Sequence, residues 1–110
     1  MPRKSQLFNA DDLHKQRVQI GKPYLEFLRV PAMSAGLYVL VPGATDRQSP
    51  HDEDEIYYVI RGCSRMRVGA QDYSVEAGSI IFVAAGVEHR FYEIKEEMAV
   101  LVIFAPAETA

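Results

Sequence analysis
The sequence predicts an all-β fold, an antiparallel sandwich or barrel, preceded by one short helix. Three observations carry this. About eight short runs rich in β-branched and aromatic residues follow one another between Tyr24 and Ala105. Turn-forming residues separate them, and no stretch of helical period interrupts the series. The one helical pattern, "NADDLHKQRVQ", lies in front.

In that helix Asn9 offers a cap, Asp11 and Asp12 suit the amino-terminal end, and Lys15 and Arg17 suit the other. Gly21 and Pro23 stop it. "YLEFLRV" and "AGLYVLV" follow, bounded by Pro31 and "PGATD". "EIYYVI" and "SRMRV" are parted by Gly62; the second alternates, with Arg65 and Arg67 outward and Met66 and Val68 inward. "DYSVE", "SIIFV", "HRFYEI" and "MAVLVIFA" complete the series, separated by "GAQD", Ala77-Gly78 and "AAG" in part.

A chain of 110 residues fits one domain, with a helical extension over about residues 1–22 and a barrel over about 23–106. The net charge of −3 and the lack of a basic stripe argue against nucleic acid as a partner. "MAVLVIFAP" is too short to span a bilayer, so no membrane association is expected. The first residues lack the apolar stretch of a signal peptide, and the single Cys63 excludes an internal disulfide. Both suit a reducing cytoplasm.

The chemistry concentrates in "SPHDEDEIYYVIRG", where His51 precedes four consecutive acids. Like charges repel, so the run is either a solvated turn or partly aimed at a cation. If a strand begins at Glu55, then Glu55, Tyr57 and Val59 share one face, while Asp54, Ile56, Tyr58 and Ile60 share the other. An extended loop returns His51 to the first face. Glu53 has the right parity to substitute, and Asp52 and Asp54 face water. His89 opens another strand after "AAGVE". Two imidazoles and a carboxylate at strand mouths form a set that holds a divalent metal with positions left open. A pair of unrelated surface histidines is the plain alternative.

At these residues the sequence resembles the cupin superfamily of small double-stranded β-helix barrels, also called jelly rolls. The first cupin motif runs glycine, five residues, His-x-His, three or four residues, glutamate, six residues, glycine. Here Gly43, "ATDRQ", "SPH", "DED", Glu55, "IYYVIR" and Gly62 keep every spacing, with Ser49 in place of the first histidine. The second motif reads Gly78, "SIIFV", "AAG", "VE", His89, "RFY", Glu93, with Ala84 replacing a proline and Glu93 an asparagine. The resemblance covers roughly residues 35 to 105.

The resemblance implies a small metal-binding cupin with one divalent ion (zinc, iron, manganese or nickel) on His51, Glu55 and His89. Ser49 would stand near the vacant fourth position, and Gln48 beside it could reach in, although its parity is wrong for a regular strand. Tyr38, Tyr57, Phe82 and Phe91 are expected to wall a pocket, and Glu53 and Tyr57 are the candidate proton-transfer groups. The implied activity is oxygenase- or isomerase-like chemistry on a small organic molecule; the alternative is a ligand-binding or sensing cupin without turnover. Small cupins commonly pair, which implies a homodimer.

Overall fold
The computed structural model describes residues 3–46 and 48–109, and among these it contains one helix and six strands. Helix α1 spans Ala10–Ile20. The Asn9 side chain accepts from the Asp11 and Asp12 amides at 2.9 and 3.3 Å, and Gly21 closes the helix with φ 68°. Leu13 is its buried anchor, packed with Leu37, Val39 and Ala99. The described residues include no helix long and apolar enough to cross a membrane.

The strands are β1 (Tyr24–Val30), β2 (Met33–Leu40), β3 (Asp54–Val68), β4 (Gln71–Glu76), β5 (Ile80–Val83) and β6 (His89–Ala105). All pairings are antiparallel, in the order β1-β2-β6-β3-β4, with β5 on β3. Four of the runs read from sequence are halves of two long strands. "EIYYVI" and "SRMRV" form β3, and "HRFYEI" and "MAVLVIFA" form β6. The glycine between the first two does not end the strand; it creates a bulge.

At that bulge the inward face changes parity. Glu55, Tyr57 and Val59 are buried before it, Ser64 and Met66 after it, and the β3–β6 register shifts between Val59 and Arg65. Gly62 has φ 90°, and a Cβ there would lie 2.4 Å from the Glu97 carbonyl oxygen, so only glycine fits. In β6 the parity changes between Phe91 and Ile94, where Glu93 adopts φ 48°. Asparagine, the residue of the motif, tolerates that conformation better than glutamate.

These two irregularities let both halves of β3 and β6 face one interior. Tyr57 and Val59 from the first half of β3, Val83 of β5 and Val100 from the second half of β6 share a core with Met66 from the second half of β3, Val75 of β4, and Phe91 and Ile94 from the first half of β6. The sheet thereby closes on itself as a jelly-roll barrel. Its first half carries the site.

Candidate metal centre
His51 lies in the loop before β3, Glu55 is the second residue of β3, and His89 is the first of β6. The loops that carry them are tied together. The Gly86 amide donates to the His51 carbonyl at 2.7 Å, and the Ala85 amide donates to Asp54 Oδ1 at 2.8 Å. Asp54 is therefore exposed but pins the second loop to the first, and Asp52 stays in solvent.

One potential ligand atom from each of His51, Glu55 and His89 lies within 4.8 Å of the others. His89 Nε2 is 2.9 Å and His51 Nε2 4.0 Å from Glu55 Oε1. His89 Nδ1 is 3.0 Å from the Val87 carbonyl, which only an N–H can satisfy. In the neutral imidazole Nε2 therefore carries a lone pair, and it faces a carboxylate oxygen. Two acceptors at 2.9 Å require a cation between them, either a proton on His89 or a metal.

The same conflict governs His89 titration. Burial pulls its pKa down, but the Glu55 carboxylate and the Val87 carbonyl outweigh it, and the net shift is upward. Glu55 is 2% exposed, and among the described residues neither of its oxygens receives a hydrogen bond. Buried carboxylates are ordinarily hydrogen-bonded or bound to a metal. The donor set fits a divalent ion.

A cavity of about 210 Å³ adjoins this set, bounded by His51, Gln48, Tyr57, Tyr38, Tyr24 and Phe104 among others. Burial, reinforced by nearby carboxylates, raises the Tyr24, Tyr38 and Tyr57 hydroxyl pKa values well above the ordinary range. All three remain protonated donors at neutral pH. Tyr57 donates to Gln48 Oε1 at 2.9 Å and Tyr38 to Asp46 Oδ1 at 2.6 Å, whereas the buried Tyr24 hydroxyl has no partner among the described residues. Tyr57 thus lines the pocket as a donor and not as a base.

Four expectations need correction. Phe82 is 60% exposed, on the outer side of β5, because Ile81 and Val83 take the inward positions. Phe91 is buried but packs edge-on against the Tyr57 ring, 5.2 Å between centroids, behind the cavity wall. Ser49 is exposed in an outer groove that shares His51 and Glu108 with the cavity, and it does not line the cavity itself. Gln48, named beside Ser49 as a residue able to reach in, lies 3.2 and 3.3 Å from the two imidazoles, its loop having no strand alternation to obey. Glu53 is buried too, but it accepts from Thr109 Oγ1 at 2.9 Å and lies outside the cluster.

Three contributors carried no signal in the sequence. Asp46 read only as a turn-former, yet it is buried and accepts from Tyr38, Gln48 and the Phe91 amide. Tyr24 read only as a strand residue. Glu108 comes from the segment after β6, which lies across the cavity mouth. The Glu108 amide donates to Ser34 Oγ at 2.8 Å, Arg29 donates to the Glu108 carbonyl, and Glu108 Oε2 approaches His51 Nδ1 at 3.4 Å.

A jelly-roll barrel with two histidines and a glutamate gathered at its strand mouths defines a class of small β-barrel proteins with a polar interior site. The chain belongs to the cupin domain family, which its residues 36–104 match. It is 44% identical over 102 residues to an uncharacterized protein of Streptomyces coelicolor, covering 93% of this chain and 97% of that one. Among solved structures it is similar to the TT1209 protein of Thermus thermophilus, with 27% identity, TM-score 0.69, and 76% and 82% of the two chains covered. KdgF of a Halomonas species shares the fold at 18% identity, with TM-score 0.69 and 76% of each chain covered.

Proposed function
We propose that this cupin holds one divalent metal ion on His51, Glu55 and His89 and acts as a metal-dependent enzyme on a small organic molecule. The supporting observation is the buried Glu55 carboxylate, which receives no hydrogen bond among the described residues and faces the lone pair of His89 at 2.9 Å. Zinc, iron, manganese and nickel all suit two imidazoles and a carboxylate. Such an ion supplies a Lewis acid or a redox centre, compatible with isomerase- or oxygenase-like chemistry.

The chain's own residues define what is bound. A cavity of about 210 Å³ is smaller than a drug-sized pocket, so the ligand is small. The free Tyr24 hydroxyl would donate to a ligand oxygen, and Val102 and Phe104 supply apolar contact. Glu108 at the mouth disfavours anions. A second reading, ligand binding without turnover, draws on the three protonated tyrosines, which leave no base among the hydroxyls of the cavity. The cytoplasm suits the unpaired Cys63.

Metal analysis of protein purified without a histidine tag tests the centre. About one ion per chain is expected in wild type and almost none in the His51→Ala, His89→Ala double variant. Undiminished saturation of the double variant overturns the assignment.

The chain would act as a homodimer. On the outer face of β3 and β5, Ile56 pairs with Phe82 and Tyr58 with Ile80, an exposed apolar patch beside a sheet edge. Ile60 does not join it, since it packs against the cluster under α1. Light scattering at micromolar concentration is expected to give twice the chain mass, and the monomer mass for Ile80→Lys, Phe82→Lys. A wild-type monomer refutes the pairing.

A further inference from the structure
The geometry points to Gln48 as a fourth metal ligand, its side-chain oxygen completing a set of two nitrogens and two oxygens, with Asp46 as the residue that aims it. This rests on the metal reading above. Gln48 Oε1 lies 3.2 Å from His51 Nε2 and 3.3 Å from His89 Nε2, and Glu55 Oε1 lies 2.9 Å from His89 Nε2. Bonds of about 2.0–2.2 Å place neighbouring donor atoms about 3.0 Å apart around an octahedral ion and about 3.4 Å around a tetrahedral one. Three of the donor separations already match the edges of such a polyhedron. The His51–Glu55 edge, at 4.0 Å, is the one that must shorten.

Asp46 decides which end of the amide faces the site. Its Oδ2 accepts from Gln48 Nε2 at 2.9 Å and from the Phe91 amide at 2.8 Å, and its Oδ1 accepts from the Tyr38 hydroxyl at 2.6 Å. A buried carboxylate surrounded by donors takes the NH₂ group, so the oxygen is turned toward the imidazoles. One lone pair of that oxygen receives the Tyr57 proton at 2.9 Å, and the other is left for an ion. The His89 Nε2 lone pair faces this oxygen as it faces Glu55, and a single cation would resolve both contacts.

The motif position of the missing histidine is thus not empty in function. Ser49 points into solvent, and the preceding side chain serves instead. Replacing an imidazole by a neutral carbonyl makes the set harder, which favours manganese and ferrous iron more than a three-imidazole set does.

Manganese(II) titration by calorimetry and the visible spectrum of the cobalt(II) form test the assignment. Gln48→Ala is expected to bind manganese at least about tenfold more weakly and to change the cobalt spectrum. Gln48→Glu sets a second carboxylate against Asp46 in place of the donated NH₂ and is expected to bind more weakly on its own. Asp46→Asn releases the amide and is expected to lose about tenfold, as outer-sphere partners do. Combining Asp46→Asn with Gln48→Glu reverses the hydrogen bond, with the introduced asparagine amide donating to the introduced carboxylate, and is expected to restore binding. Ser49→His is expected to leave affinity unchanged. Wild-type affinity and spectrum in Gln48→Ala overturn the fourth ligand and leave the three-residue centre standing. If Gln48→Ala does not fold, a folded Asp46→Asn, Gln48→Glu double variant that binds no more tightly than Asp46→Asn alone overturns it equally. A wild-type protein that binds neither ion overturns both readings.

Discussion

Two carboxylates show how differently this barrel treats an acid. Asp72 of β4 lies on the outer face and is surrounded by donors. The Tyr92 hydroxyl lies 2.7 and 2.6 Å from its two oxygens, and Arg65 Nη2 is 3.3 Å from Oδ2. Arg65 also donates to Tyr92 and to Ser74, which pair with it across the strands. Glu55 of β3 is buried, and among the described residues neither oxygen receives a hydrogen bond, with the His89 ring facing one of them. The satisfied acid is the exposed one, where water would have served, and the orphaned acid is the one water does not reach. Folding alone favours the opposite arrangement. The difference separates a cluster that staples strands from one held ready for a cation.

The largest effect is expected from Glu55→Gln. It removes a buried carboxylate whose partner in the metal-free protein is the His89 ring, 2.9 Å away, and the metal-free stability should change by no more than about 1 kcal/mol. Metal affinity should fall by about two orders of magnitude or more. A clear loss of metal-free stability would mean that Glu55 is a structural partner of His89, and the contrast with Asp72 would collapse.

A smaller effect is expected at the other cluster. Tyr92→Phe should destabilise slightly at neutral pH and leave metal affinity untouched, as read by chemical denaturation and calorimetry. The smallest is its pH dependence. The Tyr92 hydroxyl, and after it Arg65, holds the Asp72 carboxyl below the usual aspartate range against the upward pull of desolvation. A depressed carboxyl contributes stability above its unfolded pKa and loses it as pH falls through the folded value. The gap between wild type and Tyr92→Phe should therefore be full at neutral pH and close below about pH 4. Because the pair is exposed, added salt should shrink the gap too.

The two clusters were not equally legible in the sequence. Parity read outward from Glu55 placed Tyr57 and Val59 inside, and both are buried. It worked because β3 alternates there. It offered no guide at Phe82, which was expected in the pocket and is exposed, since "SIIFV" is apolar on both faces and gives no alternation to count. It misjudged Ser49 and Gln48 for a related reason: a loop has no period, and the side chain that enters a cavity is set by local turns and by an acid such as Asp46. The number of strands was overcounted because a glycine bulge looks like a turn until its partner strand is known. Ion pairs such as Arg65–Asp72 join separate strands and depend on register, which pattern alone does not supply.

Residues 106–109 have a practical consequence for handling the protein. The Ala107 amide reaches the Pro31 carbonyl, Thr109 bonds Glu53, and the Glu108 carboxylate stands beside His51. A purification tag fused behind Thr109 would start next to the ligand set. A hexahistidine tag placed there delivers six rival imidazoles at high local concentration, enough to strip, replace or counterfeit the ion. Metal content measured on such a preparation would describe the tag as much as the barrel, so the handle belongs in front of α1, at the other end of the chain.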